Sequence, residues 1–183
     1  MTEHVVWLSL GSNIRPRANL RAALRMLRLA CRVECCSPVY LTAARGDSNQ
    51  PDFLNMALRA RTRRQPADFH DDVIQTIENR LKRRRVPGNR NAARTIDVDI
   101  SLWNDASLEF GEPPRQVPDP DILRYPHVAG PLAALDPDYR HPLTGQSLRE
   151  IAEALGTVGI RQLEKGLAEG SDELSPQGLV QVQ

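Results

Sequence analysis

The sequence predicts an α/β (α+β) fold with a ferredoxin-like βαββαβ core, helices packed on an antiparallel sheet. Three observations carry this. Segments of strand length and strand pattern start at Val5, Val33, Phe53 and Ile96. Two stretches, around Leu20–Cys31 and Phe69–Leu81, repeat their apolar residues with helical period. Gly-, Pro- and Asn-bearing turns separate them in the order βαββαβ.

With 183 residues, 40% hydrophobic and 26% charged, the chain suits one globular domain with a real core. That domain is expected over 1–165. A disordered tail follows over 166–183, which is acidic, Gly- and Ser-containing and weakly apolar. A net charge of +1 excludes polyanion binding by bulk electrostatics. Cys31, Cys35 and Cys36 are odd in number and crowded, so they make neither a disulfide framework nor a zinc site. They point to a reducing, cytoplasmic setting. The apolar run Val5–Leu10 is too short for a signal peptide or a membrane span. A soluble monomer is expected, with neither nucleic acid nor membrane as partner.

Val5–Leu10 reads as a central strand ended by Gly11-Ser12-Asn13. In the helix that follows, Leu20, Leu24, Leu27 and Cys31 form the apolar stripe. Val33–Leu41 reads as one strand, Thr42–Asp52 as a polar loop, and Phe53–Arg61 as a third strand. Pro66-Ala67-Asp68 opens a second helix, with Pro in the first turn and acids at its positive end. Its stripe is Phe69, Val73, Ile74, Ile77 and Leu81, and Gln75 and Glu78 fall off it on an ideal wheel. The basic run Arg80–Arg94 with Pro87-Gly88-Asn89 reads as a mobile loop. Asn104–His127 has no clear period and reads as a long ordered loop. A short helix over Val128–Leu135 and a turn over His141–Gly145 follow. Ser147 with Glu150 then forms a capping box opening a helix to Leu155.

The segment Arg94-Thr95-Ile96-Asp97-Val98-Asp99-Ile100 carries the chemistry. Ile96, Val98, Ile100 and Leu102 alternate with Asp97, Asp99 and Ser101, so both carboxylates point to one side of a strand. Two like charges on one strand face repel, and a bound cation removes that cost. Hard oxygen ligands suit Mg²⁺. A solvated strand face is the plainer reading.

Together with the Asp strand, several strings resemble the 6-hydroxymethyl-7,8-dihydropterin pyrophosphokinase family. They are Leu10-Gly11-Ser12-Asn13, Ser37-Pro38-Val39-Tyr40, Gln50-Pro51-Asp52-Phe53-Leu54-Asn55, Gln75-x-x-Glu78, Pro131-Leu132 with Leu135 and Pro137, and His141-Pro142-x-x-Gly145. The resemblance runs from about Val5 to about Leu155. It implies transfer of the pyrophosphoryl group of ATP to the pterin hydroxymethyl in folate biosynthesis, with release of AMP. It also implies two Mg²⁺ ions on Asp97 and Asp99, with Arg83 and Arg94 on the triphosphate. Such chemistry calls for positioning and charge neutralisation rather than a strong nucleophile. On the same resemblance Gln75, Glu78, Arg85, Arg90, Ile100 and Asp119 belong to the nucleotide side. Gly11, Thr42, Ala43, Arg45, Phe53, Asn55 and His127 belong to the pterin pocket. Taken alone, Phe53 reads as a core aromatic and Glu78 as a solvated helix residue.

The chain departs from the family in three places. Asn91-Ala92-Ala93 replaces Trp-Gly-Pro before the Arg-Thr, and Leu41-Thr42-Ala43-Ala44 replaces Arg-Thr-Pro-Pro. Asp119 stands where the family has a phosphate-facing His, and Tyr125 and His127 stand at its Arg and Phe positions, or Arg124 takes the Arg position with a shift of one. A carboxylate at 119 repels a triphosphate unless it binds metal. A divergent paralogue with weak or altered activity on a pterin fits this pattern too. An RNA-binding βαββαβ module fits poorly, because aromatic residues are only 4% of the chain and the stacking face would carry two Asp.

Overall fold

The computed structural model of the protein describes residues 2–44, 50–89 and 92–163. Its core is a sheet of six strands: β1 (His4–Ser12), β2 (Arg32–Cys36), β3 (Tyr40–Thr42), β4 (Phe53–Thr62), β5 (Asp97–Trp103) and β8 (Ile160–Gln162). The order is β5-β1-β4-β3-β8, with β2 also on β4 and every pairing antiparallel. With β2 and β3 read as one strand and β8 as an addition, this is the expected ferredoxin-like arrangement.

The segment expected as one strand over Val33–Leu41 breaks at Ser37-Pro38-Val39 because Pro38 has no N–H to give a ladder. Ser37 bridges the gap. Its N–H donates to the Ala57 carbonyl at 2.8 Å, and its hydroxyl accepts from the Ala57 N–H at 2.9 Å.

Helix α1 (Pro16–Ala30) buries Leu20, Ala23 and Leu27 against one face of the sheet. The same face carries Val6, Leu8, Leu10, Met56, Leu58, Val98 and Ile100. The second helical stretch packs on this layer as well. It runs as α2 (Pro66–Asp68), a π-helical segment (Phe69–Ile74) and α3 (Gln75–Arg80). The wider π turn keeps positions four apart in phase, so Phe69/His70, Val73/Ile74 and Ile77/Glu78 are all buried. The ideal wheel put Glu78 on the solvent side, and the π turn brings it in.

The opposite face is covered by α4 (Pro126–Leu135) and α5 (Leu148–Leu155), over Trp7, Ala57, Leu102 and Ile122. Leu102 was expected beside Ile100. A register shift between Trp7 and Leu8 gives β5 one extra residue, and Leu102 turns to the α4 face. Trp7 Nε1 donates to Asp136 Oδ2 at 2.7 Å, Arg59 Nη1 donates to the same carboxylate at 2.8 Å, and Tyr139 lies against the indole.

The stretch read as a long loop after Asn104 contains a hairpin, β6 (Leu108–Phe110) and β7 (Arg115–Val117), and a 3₁₀ turn at Pro120–Leu123. The capping box at Ser147 is present, the Ser hydroxyl accepting from the Glu150 N–H. Strand β8 was not anticipated, being three residues without a strand pattern. The expected tail over 166–183 lies outside the described residues. Among those described, no helix is long and apolar enough to cross a membrane.

Candidate functional site

Four strands bring the polar residues together on the α4 face, at the sheet end where Gly11 and Ser12 finish β1. Gly11 is opposite Asn55 of β4 on one side and Asp97 of β5 on the other; Ser9 is opposite Asp99. On β3, Thr42 is opposite Phe53 and Tyr40 opposite Asn55. A Cβ on Gly11 would stand 3.1 Å from Asn55 Oδ1, so glycine keeps the middle of this row open. Asn55 is buried, and its Nδ2 donates to Thr42 Oγ1 at 2.8 Å. Its Oδ1 accepts no hydrogen bond among the described residues.

The Gly-Ser-Asn string that ends β1 fixes the start of β5. Asn13 Oδ1 accepts from the Arg94 N–H at 2.7 Å, and the Asn13 and Ile14 N–H groups donate to the Arg94 carbonyl. Ser12 Oγ donates to the Thr95 carbonyl at 2.6 Å. Asn13 Nδ2 reaches Gln50 and the Pro51 carbonyl, tying in the segment before Phe53. Sequence reasoning used Asn13 as a strand terminator and as part of a family string, and gave it no role in holding β5.

Asp97 lies at the centre of a charge cluster. Arg83 Nη1 donates to Asp97 Oδ1 and to Glu78 Oε1, and Arg94 Nη1 donates to Asp97 Oδ2. Glu78, buried at 6% exposure, also accepts from the Val98 N–H on the outer edge of β5, and Arg85 reaches it at 3.5 Å. Glu78 is therefore an internal partner of the arginines rather than a solvated helix residue. Burial alone would drag the Arg83 guanidinium down, but Asp97 and Glu78 together raise it above its usual value. The Arg94 guanidinium also stacks over Phe53, 5.7 Å from the ring centroid. Phe53 belongs to neither apolar core, so the core-aromatic reading does not hold.

Asp99 is exposed to solvent, with protein atoms crowded around its carboxyl. That desolvation, with Asp97 and then Asp119 nearby, raises its carboxyl well above the ordinary range. Asp99 lines a cavity of about 240 Å³ with Ile100, Asp119, Phe110, Arg115 and His70. Asp119 caps the 3₁₀ turn, its Oδ1 accepting from the Asp121 N–H at 2.9 Å. Burial pushes its carboxyl up to about 6. A local structural role thus accounts for an acid at this position.

The structure brings Gly11, Thr42, Phe53, Asn55, Glu78, Arg83, Arg85, Arg94, Asp97 and Asp99 into one connected cluster. Ile100 and Asp119 line the adjoining cavity. Gln75 is exposed on α3, where its Nε2 donates to Asp71 Oδ1. Ala43 is exposed just beyond β3. His127 is in the first turn of α4, stacked on Tyr125 with ring centroids 5.4 Å apart. Arg45 and Arg90 lie outside the described residues. His70 was missed, because a lone His inside an apolar helix stripe gives no signal of its own.

Magnesium fits this donor set. Asp97 and Asp99 share one strand face and offer only oxygen, and a cation between them removes the repulsion of two like charges. Among the described residues no three acidic, imidazole or thiol groups form a closed metal site. Mg²⁺ commonly takes one or two carboxylates and completes its shell with substrate phosphate and water.

Comparison with known proteins identifies the family. The profile of the 7,8-dihydro-6-hydroxymethylpterin-pyrophosphokinase family matches residues 7–137. A 2-amino-4-hydroxy-6-hydroxymethyldihydropteridine pyrophosphokinase from Pseudomonas aeruginosa is 36% identical over 161 residues, covering 86% of this chain and 96% of that protein. Folic acid synthesis protein fol1 of Schizosaccharomyces pombe is 33% identical over 168 residues, covering 86% of this chain and 21% of that protein. A crystal structure of Plasmodium falciparum HPPK-DHPS superposes with a TM-score of 0.71 at 12% identity, covering 88% of this chain and 47% of that one. The chain belongs to the 7,8-dihydro-6-hydroxymethylpterin-pyrophosphokinase family.

Proposed function

We propose that this protein transfers the β,γ-pyrophosphoryl group of ATP to the hydroxymethyl oxygen of 6-hydroxymethyl-7,8-dihydropterin. The new bond joins that oxygen to the β-phosphorus. The bond from the β-phosphorus to the oxygen bridging the α-phosphate breaks, and AMP leaves with the electron pair. The hydroxymethyl proton is released. The observation that carries the reading is the register row Asn55–Gly11–Asp97, which sets an amide pocket one strand away from the Asp97/Asp99 pair.

Each residue then has a physical task. Phe53 offers a ring face and Asn55 an open acceptor to the pterin edge, with Gly11 leaving room between them. Arg83 and Arg94 transfer their hydrogen bonds from Asp97 to the triphosphate, where guanidiniums bind in a fixed fork. That exchange frees the Asp97 oxygens. When bound, Mg²⁺ on Asp97 and Asp99 neutralises charge on the phosphates during transfer. Glu78 holds Arg83 in place beside the site.

The test is AMP release from ATP and Mg²⁺, with and without the pterin alcohol. Pterin-dependent AMP formation is expected from the wild-type protein. Asp97→Ala and Asp99→Ala should each lower it by a factor on the order of 10³ while pterin binding by calorimetry persists. Near-normal turnover in the double variant would sink the assignment of these carboxylates.

A further inference from the structure

The cavity beside Asp99 and Ile100 includes a side chain that neither the family strings nor the charge cluster accounts for. His70 is on the π-helical segment, where the wider turn carries it to the buried face next to Phe69. Its side chain is 8% exposed. Nδ1 lies 2.7 Å from Asp71 Oδ1. An ionised carboxylate can only accept, so Nδ1 is the donor and in the neutral ring Nε2 carries a lone pair. The hydrogen bond from His70 holds the Asp71 carboxyl below its ordinary range, which keeps this acceptor ionised. Gln75 Nε2 donates to the same Asp71 oxygen at 2.6 Å and lies 3.4 Å from Nδ1, a contact too long to compete with the carboxylate for that nitrogen. Nε2 of His70 has no partner among the described residues.

We propose that His70 is a nucleobase-reading residue: its Nε2 accepts a hydrogen bond from the exocyclic amine of adenine. It thereby makes the site favour ATP over purine nucleotides without a donor at that position. Asp71 acts through His70 as a positioning residue by fixing the tautomer. This inference rests on the cavity at Asp99 and Ile100 being the nucleotide pocket of the proposed reaction. A histidine acceptor suits an amine edge and opposes the carbonyl edge of a guanine. An Nε2–H tautomer would reverse that preference, which gives the Asp71 contact its importance.

The experiment compares kcat/KM for ATP with that for purine riboside 5′-triphosphate, which lacks the amine, in the wild-type protein and three variants. One hydrogen bond of ordinary strength gives the wild-type protein a preference for ATP of about fivefold to tenfold. In H70L the ratio falls to about one, with the KM for the pterin unchanged. H70Q, which restores an acceptor, recovers part of the ratio. D71A lowers the ratio without loss of thermal stability, because Asp71 is 57% exposed, and it decides the matter alone if H70L does not fold. A wild-type ratio retained in H70L, or in D71A where H70L does not fold, overturns the inference while leaving the reaction standing. A wild-type protein that neither turns over nor binds ATP overturns both.

Discussion

Asn55 shows how one side chain is divided between fold and ligand. Its Nδ2 is spent on Thr42, which holds β3 to β4, and its Oδ1 faces the open space beside Gly11. Asn55→Ala should raise the KM for the pterin by about tenfold or more, the worth of one or two hydrogen bonds, with the KM for ATP within about twofold. Equal effects on both substrates would contradict the pocket assignment. At this scale the sequence was informative wherever a residue type conflicts with its setting. An Asn and two Asp on strands have few structural uses, so they stood out. Glu78 and His70 did not, because their burial depends on a helical turn wider than any ideal wheel assumes. Nor did the pairing of Arg83 and Arg94 with Asp97, since no spacing rule connects positions 83 and 97 across a loop.

Among the elements, those with strong periodicity or explicit caps were legible: β1, α1, β4, β5 and the capped α5. The rest were decided by pairing partners far away in sequence. Strand β8 exists because Leu41 and its neighbours on β3 offer an open edge, and β2 and β3 part because Pro38 interrupts the ladder. The turn between α4 and α5 supports a prediction of pH dependence. His141 is buried at 1% exposure, its Nε2 has no partner among the described residues, and burial holds the imidazole below its ordinary value. The unfolded chain therefore takes up a proton that the folded one resists. The stability this His permits is complete above about pH 6.5 and declines as pH falls through that value. Melting temperatures of wild type and His141→Asn, measured from pH 7.5 to 5.5 (about one unit either side of that value), should show the difference shifting against the wild type at low pH. A difference independent of pH would refute this.

At the level of the whole molecule, the sheet is shared. One face is apolar along its length beneath α1 and the π-containing helix. The other is apolar only beneath α4 and α5 and turns polar where the site begins. The sequence did not foresee that division, because it follows from the extra residue in β5 that sends Leu102 and Ile100 to opposite sides. Asp136 anchors the second layer by accepting from Trp7 and Arg59. Asp136→Ala leaves a buried indole N–H without its acceptor. This should cost about 2 kcal/mol, or about 4–8 °C in Tm, while turnover below the transition stays near wild type. A variant that melts like the wild type would show that water replaces the carboxylate freely.

The two tryptophans fall one on each side of this sheet. Trp7 is packed against Tyr139 beneath α4, and Trp103 against Phe69 and His4 beneath the other layer. The chain thus contains its own pair of optical probes. Replacing either indole by Phe leaves a fluorophore that watches a single layer, so the emission of the two single-tryptophan proteins distinguishes a molecule that melts as one body from one that sheds its layers in turn.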